Sequence, residues 1–218
     1  PPMILTESGR YIVAHSSILV TEVIDVSASL NEVSQLPPPP SKKKFIRDLY
    51  EIYHNAKASN YMETLYDCYD LKQNAIEKFM QGEISLEERA YSEKVYKHMT
   101  AKALSLGKKL DHSQKELEEL EDKHVDIYFC NFSLFQSLPD YWAIQQLFPI
   151  MPIHRLNTLP NRKAIIVDMT CDCDGTINNF VNPKKTSKNL TLHEMNENPY
   201  YLGIFLIGAY QETLGGLH

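Results

Sequence analysis

The hydrophobic pattern divides the chain into two β-type segments with a long helical segment between them. Residues 11–26 are rich in Ile and Val, which indicates a strand with a helical turn before it. From about residue 44 to residue 125, apolar side chains recur at helical spacing, as at Phe45, Leu49 and Tyr53. Strand signals then return in four runs: 127–132, 163–170, 176–181 and 202–207. The pattern therefore predicts a helical segment inserted between the β segments of one domain.

Local start and stop signals subdivide the helical segment. Asp70, Ser85 and Ser113 are each followed three residues later by Glu or Gln, which is the spacing of a capping box. Gly82 and Gly107 stand where helices are expected to stop. Four helices joined by short turns are typical of an antiparallel four-helix bundle.

Three other stretches have a distinctive composition. The prolines at 37–40 cannot donate backbone hydrogen bonds and favour an extended chain, which predicts a linker before the bundle. Pro139 favours the start of a short helix. The polar stretch 182–198 is predicted to be a surface loop.

Overall composition narrows the class of protein. The chain is 43% hydrophobic and 23% charged, as in globular domains, and its net charge of −6 disfavours nucleic acid or an anionic membrane as a partner. No apolar run approaches the roughly 20 residues that cross a bilayer, and no signal peptide is recognisable. The four cysteines do not resemble a disulfide framework, so we expect reduced thiols and a cytoplasmic protein. A start without Met and an end just after an apolar segment predict a piece of a longer protein.

The strongest candidate for chemistry is the segment 170–175, Thr-Cys-Asp-Cys-Asp-Gly. It follows the apolar run 164–169, so Cys171, Asp172 and Asp174 are expected at the end of a strand. Loops that follow strands often carry functional groups, and this segment would place thiols and two carboxylates together in such a loop.

Several motifs occur in a characteristic order: Glu7-Ser8-Gly9-Arg10, the helical Ile84–Ala90, Asn131-Phe132-Ser133, Thr170-Cys171-Asp172 and Gly208-Ala209-Tyr210-Gln211-Glu212. Together they resemble the fold-type III basic amino acid decarboxylases that use pyridoxal phosphate (PLP), and within them the biosynthetic arginine decarboxylases. Ornithine decarboxylases have Asp directly after the position of Asn131. This chain has Phe132 there, which favours the arginine branch.

The resemblance implies an α+β fold. Residues 1–14 would end the (β/α)8 barrel that binds PLP, and 15–36 would begin a β-sandwich or β-barrel-like domain. An antiparallel four-helix bundle at 41–125 would interrupt that domain, which 126–218 would complete. The rest of the barrel, with the lysine that forms a Schiff base, would precede Pro1.

The resemblance also implies roles for four cofactor-binding residues. Glu7 would pair with the pyridine nitrogen of PLP and keep it protonated. Arg10 would bind the phosphate through charge-assisted hydrogen bonds, and Tyr210 would contact the phosphate through its hydroxyl group. Gly9 would allow the backbone to approach closely. Mg²⁺ is implied as an accessory requirement, without ligands in this chain.

The remaining site residues are assigned in the same way. Cys171 would return a proton to the substrate carbon after CO₂ leaves, acting from the neighbouring subunit of a dimer. Asp172, with Asp174 nearby, would bind the distal guanidinium of the substrate. Cys173 departs from the family pattern, which usually has Ser, and receives no role.

The resulting prediction is a part of a homodimeric or larger cytoplasmic lyase that converts L-arginine to agmatine and CO₂ at the start of polyamine, and hence spermidine, biosynthesis. Three alternatives remain open. One is a related decarboxylase that acts on ornithine, lysine or diaminopimelate, and another is a non-catalytic interaction module. The third is a metal site among His193, His218, Cys171, Cys173 and Asp174, although their spacing matches no common metal motif.

Overall fold

The computed structural model describes residues 2–30, 35–110, 114–182 and 186–216. Contacts group the chain into two compact units. One combines Pro1–Ala28 with Val125–His218, and the other is Ser29–His124. The first contains the sheet and the second is helical, so the predicted α+β class is confirmed. Among the described residues, no helix is both long enough and apolar enough to span a membrane.

The β unit begins with helix α1 (Gly9–Val13), a 3₁₀ turn (Ala14–Ser16) and strand β1 (Leu19–Ser27). From residue 126 onward the unit contains, in chain order, β2 (Asp126–Cys130), α6 (Leu134–Ser137), α7 (Pro139–Ile144), β3 (Ile150–Pro152), β4 (Arg162–Val167), β5 (Thr176–Ile177), β6 (Leu190–Leu192), β7 (Tyr200–Ile204) and α8 (Gln211–Leu214). The described strands form one mixed sheet in the order β3-β7-β1-β2-β4-β5, with β6 also paired to β4. Strands β2 and β4 are parallel, and the other pairs are antiparallel.

One face of this sheet carries the core of the β unit. Tyr128, Ile166 and Leu202 are fully buried, each on a strand whose side chains alternate between the two faces. Leu134 and Leu138 cover them from α6 and its C-terminus. The core therefore lies directly beside the loops that follow β2 and β4, and the second of these loops carries Cys171, Asp172 and Asp174.

The helical unit contains four helices in the described residues: α2 (Lys44–Asn55), α3 (Tyr61–Met80), α4 (Leu86–Leu110) and α5 (Gln114–Lys123). The predicted capping box at the start of α4 is confirmed. The Ser85 hydroxyl accepts from the Glu88 N–H at 3.2 Å, and Glu88 Oε2 accepts from the Ser85 N–H at 2.7 Å. Gly82, with φ of 74°, follows the end of α3 as predicted.

Two of the predicted helix boundaries are wrong. Asp70 lies inside α3 and Gly107 lies inside α4. Gly107 is needed for packing, because a Cβ there would collide with the side chain of Leu117 on α5. The boundary predicted at Ser113 falls outside the described residues.

The predicted linker at 37–40 packs against the helices instead of connecting the two units freely. Leu36 is buried in the helical core, and the carbonyl of Pro37 accepts from the Tyr91 hydroxyl at 3.0 Å. Contacts accordingly place residues from Ser29 onward with the helices, whereas the sequence had placed 15–36 with the β domain. The backbone of the prolines still forms neither helix nor strand.

The predicted surface loop 182–198 is wrong in part. Leu190–Leu192 forms β6, which pairs antiparallel with β4, and Leu192 is fully buried. Strand β6 is short and surrounded by polar residues, so its sequence lacks a strand pattern, and pairing with β4 determines its conformation.

Candidate functional site

A buried carboxylate organises the first group of candidate residues. Asp140, at the start of α7, is 6% exposed and accepts from Arg10 Nη2 at 2.7 Å. The Gln211 amide donates to the same oxygen at 2.7 Å and accepts from the Asp140 N–H at 3.0 Å. Arg10 is therefore fixed by α7 and α8, which are distant from it in the sequence.

Tyr210 completes this group. The Arg10 guanidinium carbon lies 4.8 Å from the centroid of the Tyr210 ring, a cation–π distance. Tyr210 has φ of 70°, a left-handed backbone conformation that turns the chain into α8. The Gly208 N–H donates to the carbonyl of Ala14 at 2.8 Å, and a Cβ at Gly208 would collide with the backbone carbonyl of Val13. This close approach places Tyr210 beside Arg10.

Glu7 and Arg10 line one side of an open cleft of about 480 Å³. Glu7 Oε1 accepts from the Gly9 N–H at 2.6 Å, and the Glu7 side chain is otherwise exposed. Arg10 Nη1 is buried and has no hydrogen-bond partner among the described residues. The remaining lining residues include Tyr11, His15, Leu147, Phe148 and Leu206.

These groups can bind an anion. A buried guanidinium N–H without a partner costs about 1–3 kcal/mol, so an anionic oxygen that accepts from Arg10 Nη1 would remove this penalty. The Arg10–Asp140 ion pair holds the guanidinium plane in place beside the cleft. The chemistry of the donor set therefore fits a phosphate-bearing group.

The second group of candidates is held by Asp168, a buried residue directly after β4 that is 4% exposed. Its Oδ2 accepts from the Leu134 N–H at 2.7 Å and its Oδ1 accepts from the Thr170 hydroxyl at 3.0 Å. Its own N–H donates to the carbonyl of Gly175 at 2.8 Å. Gly175 leaves space for this carboxylate, because a Cβ there would collide with it. The loop 169–175 is therefore tied down at both ends.

This loop follows strand β4, as the sequence predicted, and it carries Cys171, Asp172, Cys173 and Asp174, all of which are exposed. Asp172 Oδ1 accepts from the Asp174 N–H at 2.9 Å, which orders the turn. The donor atoms of Asp172, Cys173 and Asp174 lie within 4.8 Å of one another, an arrangement common among exposed acidic groups without a metal. Two thiols and two carboxylates are therefore exposed to solvent on this loop.

The four cysteines are free, as expected, and form two classes. Burial raises the pKa of Cys68 and of Cys130 to about 12, so both remain protonated at neutral pH. Cys171 and Cys173 are exposed, and proton transfer at a thiol is therefore possible only at this pair.

His193 does not support the metal alternative. It is 4% exposed, and its two ring nitrogens lie 2.8 Å from the Tyr200 hydroxyl and 2.8 Å from the Thr158 carbonyl. Both possible ligand atoms are thus engaged within the β unit. His218 lies outside the described residues.

The structure brings the sequence-predicted residues together in two sets. Arg10 lies against Tyr210, and Glu7 contacts Gly9. The loop 171–174 forms the other set, and Asp174 lines a different cleft of about 630 Å³ with Trp142, Asn179 and Lys188 among its neighbours.

Sequence reasoning missed two residues that organise these sets, Asp140 and Asp168. Asp140 stands directly after Pro139, so its position suggested only the acidic first turn of a helix. Asp168 directly follows strand β4 and interrupts the apolar run of the sequence at 164–169, so a carboxylate at that point was the available signal. Neither signal identifies a partner.

Comparison with known proteins gives a consistent result. Residues 39–121 match the family described as the arginine decarboxylase helical bundle domain. The biosynthetic arginine decarboxylase of Phocaeicola vulgatus is 42% identical over all of this chain and 35% of its own length. The protein of the same name from Gloeobacter violaceus is 44% identical over all of this chain and 34% of its own length.

A solved structure also matches. The crystal structure of the biosynthetic arginine decarboxylase from Campylobacter jejuni superimposes with a TM-score of 0.67 at 36% identity, covering 94% of this chain and 32% of that one. This chain spans about a third of the length of the curated relatives that it matches. The resemblance found in the sequence is thereby confirmed: over its whole length the chain is similar to a segment that makes up about one third of biosynthetic arginine decarboxylases.

Proposed function

We propose that this chain is part of a PLP-dependent lyase that converts L-arginine to agmatine and CO₂, a reaction that starts polyamine biosynthesis. The observation that carries the proposal is the homology over all 218 residues to proteins named biosynthetic arginine decarboxylase. It spans both sets of candidate residues. A cytoplasmic location, and a Mg²⁺ requirement to which we assign no ligand, rest on the resemblance alone.

The cofactor half of the site is assigned to the cleft beside Arg10. Support comes from the unpartnered buried Nη1 of Arg10, which would donate to the phosphate of PLP, with the Tyr210 hydroxyl as a further contact. Glu7 lines the same cleft and would hold the pyridine nitrogen protonated. Bound PLP supplies an electron sink for the electron pair left by departing CO₂. Asp140 keeps Arg10 oriented for this contact.

The substrate half is assigned to the loop after β4. Asp172, with Asp174 nearby, would accept from the planar guanidinium of L-arginine, and the exposed thiol of Cys171 would return a proton to the substrate carbon. Asp174 lines a different cleft from Glu7 and Arg10. This separation supports a homodimeric or larger assembly in which the loop serves the cofactor of the neighbouring subunit.

The finer architecture is part of the same proposal. Residues 1–14 would end a (β/α)8 barrel and the mixed sheet would belong to a β-sandwich or β-barrel-like domain. Because the lysine that binds PLP would lie outside this chain, the 218-residue chain alone is expected to release no CO₂ from arginine. A non-catalytic role would require the complete protein to be inactive as well.

The proposal is tested by substrate specificity in the complete protein. Arginine should exceed ornithine and lysine in kcat/KM by about 30-fold or more, because a terminal amine cannot make the paired hydrogen bonds that a planar guanidinium donates to a carboxylate, a loss of about 2 kcal/mol. The Asp172→Asn variant should lose most of this preference. Equal turnover of ornithine and arginine by the wild-type protein would contradict the assignment.

A further inference from the structure

The carboxylate of Asp168 is buried at a cost to the fold, and this cost requires an explanation. Asp168 is 4% exposed, and none of the ion pairs in the described part of the chain includes it. Burying a carboxylate away from a cation costs free energy, which hydrogen bonds from neutral donors offset only in part. A neutral residue would connect strand β4 to the following loop at lower cost. The contacts of Asp168 therefore indicate what the carboxylate contributes.

The Asp168 carboxylate joins the loop after β4 to the start of α6. Its Oδ2 accepts from the N–H of Leu134, the first residue of α6, and its Oδ1 accepts from the Thr170 hydroxyl. Beside it, the Met169 N–H donates to the carbonyl of Phe132 at 3.1 Å. The Leu134 side chain is buried in the core of the β unit. The first residues of the loop are thus attached to a well-packed part of this unit.

The Thr170 hydroxyl extends this attachment to the backbone around Cys171. A hydroxyl group has one proton to donate and lone pairs that accept. The Thr170 hydroxyl donates to the Asp168 carboxylate at 3.0 Å, and its oxygen accepts from the Asp172 N–H at 3.3 Å. Cys171 lies between Thr170 and Asp172 in the sequence. The two hydrogen bonds therefore hold the backbone on both sides of the exposed thiol.

Asp168 also fixes the far end of the loop. Its N–H donates to the carbonyl of Gly175 at 2.8 Å, and a Cβ at residue 175 would collide with its carboxylate. Between these points, Asp172 Oδ1 accepts from the Asp174 N–H at 2.9 Å. The hydrogen bonds that shape the segment carrying the thiol and the two exposed carboxylates thus converge on one buried residue.

We propose that Asp168 and the Thr170 hydroxyl form a hydrogen-bonded relay that positions Cys171 for proton return and Asp172 for binding of the guanidinium. Both are positioning residues, since they act through their neighbours and not on the substrate. The inference rests on the proposed function and adds to it the groups that set the geometry of the substrate half. Thr170 is the residue to change, because its replacement removes the relay and leaves Asp168 bonded to α6.

Steady-state kinetics of the complete protein provide the first test. Thr170→Val should lower kcat about 10-fold and raise the KM for arginine about 3-fold, because small displacements of catalytic and binding groups are costly. Thr170→Ser retains the hydroxyl and should recover most of both losses. The matched control is Thr158→Val, which removes an exposed hydroxyl that lies 3.5 Å from Asn157 Oδ1. It should leave kcat and KM near their wild-type values.

A double-mutant cycle separates positioning of the thiol from a general loss of structure. When residue 171 is already Ala, Thr170→Val should change kcat less than about 2-fold, since there is no thiol left to displace. The same 10-fold loss (about 10-fold in each case) with and without the thiol would overturn the proposal. A Thr170→Ser variant as slow as Thr170→Val would also overturn it. Thermal unfolding of each variant is the fold control.

Hydrogen exchange tests the relay without turnover. In the complete protein, the Asp172 amide should exchange at least about 3-fold faster in Thr170→Val than in wild type or Thr170→Ser, because it loses its acceptor. Mass spectrometry with fragmentation resolves this amide. Unchanged exchange would overturn the relay, and faster exchange with unchanged kinetics would overturn its positioning role. If the wild-type protein does not decarboxylate arginine, the proposed function fails, and the exchange comparison still decides whether the relay exists.

Discussion

At the scale of single residues, the candidate cofactor site depends on how Arg10 divides its hydrogen bonds. One amino group of the guanidinium donates to Asp140, and the other is buried and has no partner within the part of the chain that the structure describes. Glu7 accepts a hydrogen bond from the backbone of Gly9 and is exposed, so the two charged residues are held in different ways. Their substitution should therefore have different effects.

In the complete protein, Arg10→Ala should weaken PLP binding by about 10- to 100-fold, because hydrogen bonds to a charged group contribute roughly 1.5–3 kcal/mol. Glu7→Gln should leave PLP binding largely intact and lower kcat, since it removes ring protonation but not the contact with the phosphate. Equilibrium dialysis of PLP together with steady-state kinetics separates the two effects. An equal loss of PLP in both variants would show that the assigned roles are wrong.

At the scale of elements, the close approach of the segment 13–16 to the loop before α8 positions Arg10 beside Tyr210. The contact depends on Gly208, which has no room for a Cβ. The helical unit has a comparable local determinant at the start of α4, where Glu88 is buried among hydrogen-bond donors.

Gly208→Ala should destabilise the β unit by about 1–3 kcal/mol, since the new methyl group collides with the Val13 carbonyl and must push two segments apart. Chemical denaturation measures this change. The double variant Ser16→Ala/Gly208→Ala is the control. It relieves the side-chain part of the collision but not the backbone part, so it should remain destabilised. Full recovery in the double variant would assign the strain to Ser16.

Glu88 should make stability depend on acid. Hydrogen bonds from Ser41, the Ser85 N–H and Lys43 lower the pKa of Glu88 from 4.5 to about 2. A depressed carboxyl pKa contributes stability above pH 4.5, and this contribution is lost as the pH falls towards 2. Wild type should therefore lose more Tm across this range than Glu88→Gln does. Glu87→Gln, an exposed neighbour on α4, should follow wild type. A parallel decline in wild type and Glu88→Gln would contradict the shift.

At the scale of the whole molecule, the proposed reaction depends on how two separate sets of site residues are brought together. Glu7 and Arg10 line one cleft of the β unit, whereas Asp174 of the loop 171–174 lines another. An assembly in which each subunit contributes its loop to a neighbour would bring one copy of each set together. This arrangement follows from the proposed reaction and can be tested by mixing variants.

In the complete protein, Cys171→Ala should reduce turnover by about 10²- to 10⁴-fold, the range for loss of a positioned general acid, while Cys173→Ala remains near wild type. Mixing Cys171→Ala with a variant that lacks the PLP-binding lysine should restore activity. With free exchange of dimer subunits, about a quarter of all sites should be functional. No recovery, in a mixture shown separately to exchange subunits, would mean that the thiol serves its own subunit.

The sequence by itself determined the features that depend on neighbouring residues. Patterns a few residues long predicted the capping box at Ser85, the helix that starts at Pro139 and the position of Cys171 after a strand. The alternation of strand and helix patterns along the chain predicted the α+β class. The family resemblance added the Arg10 and Tyr210 motifs, which the structure places together.

Only the tertiary structure decided which partners those residues have. Asp140 pairs with Arg10 from 130 residues away, and Asp168 reaches the Leu134 N–H from 34 residues away. Strand β6 likewise depends on β4, which supplies its hydrogen bonds. Gly107 inside α4 depends on α5, because Leu117 of that helix leaves no room for a Cβ at residue 107. Each of these contacts is stabilised by two residues that are far apart in the sequence, so a local sequence pattern cannot predict it.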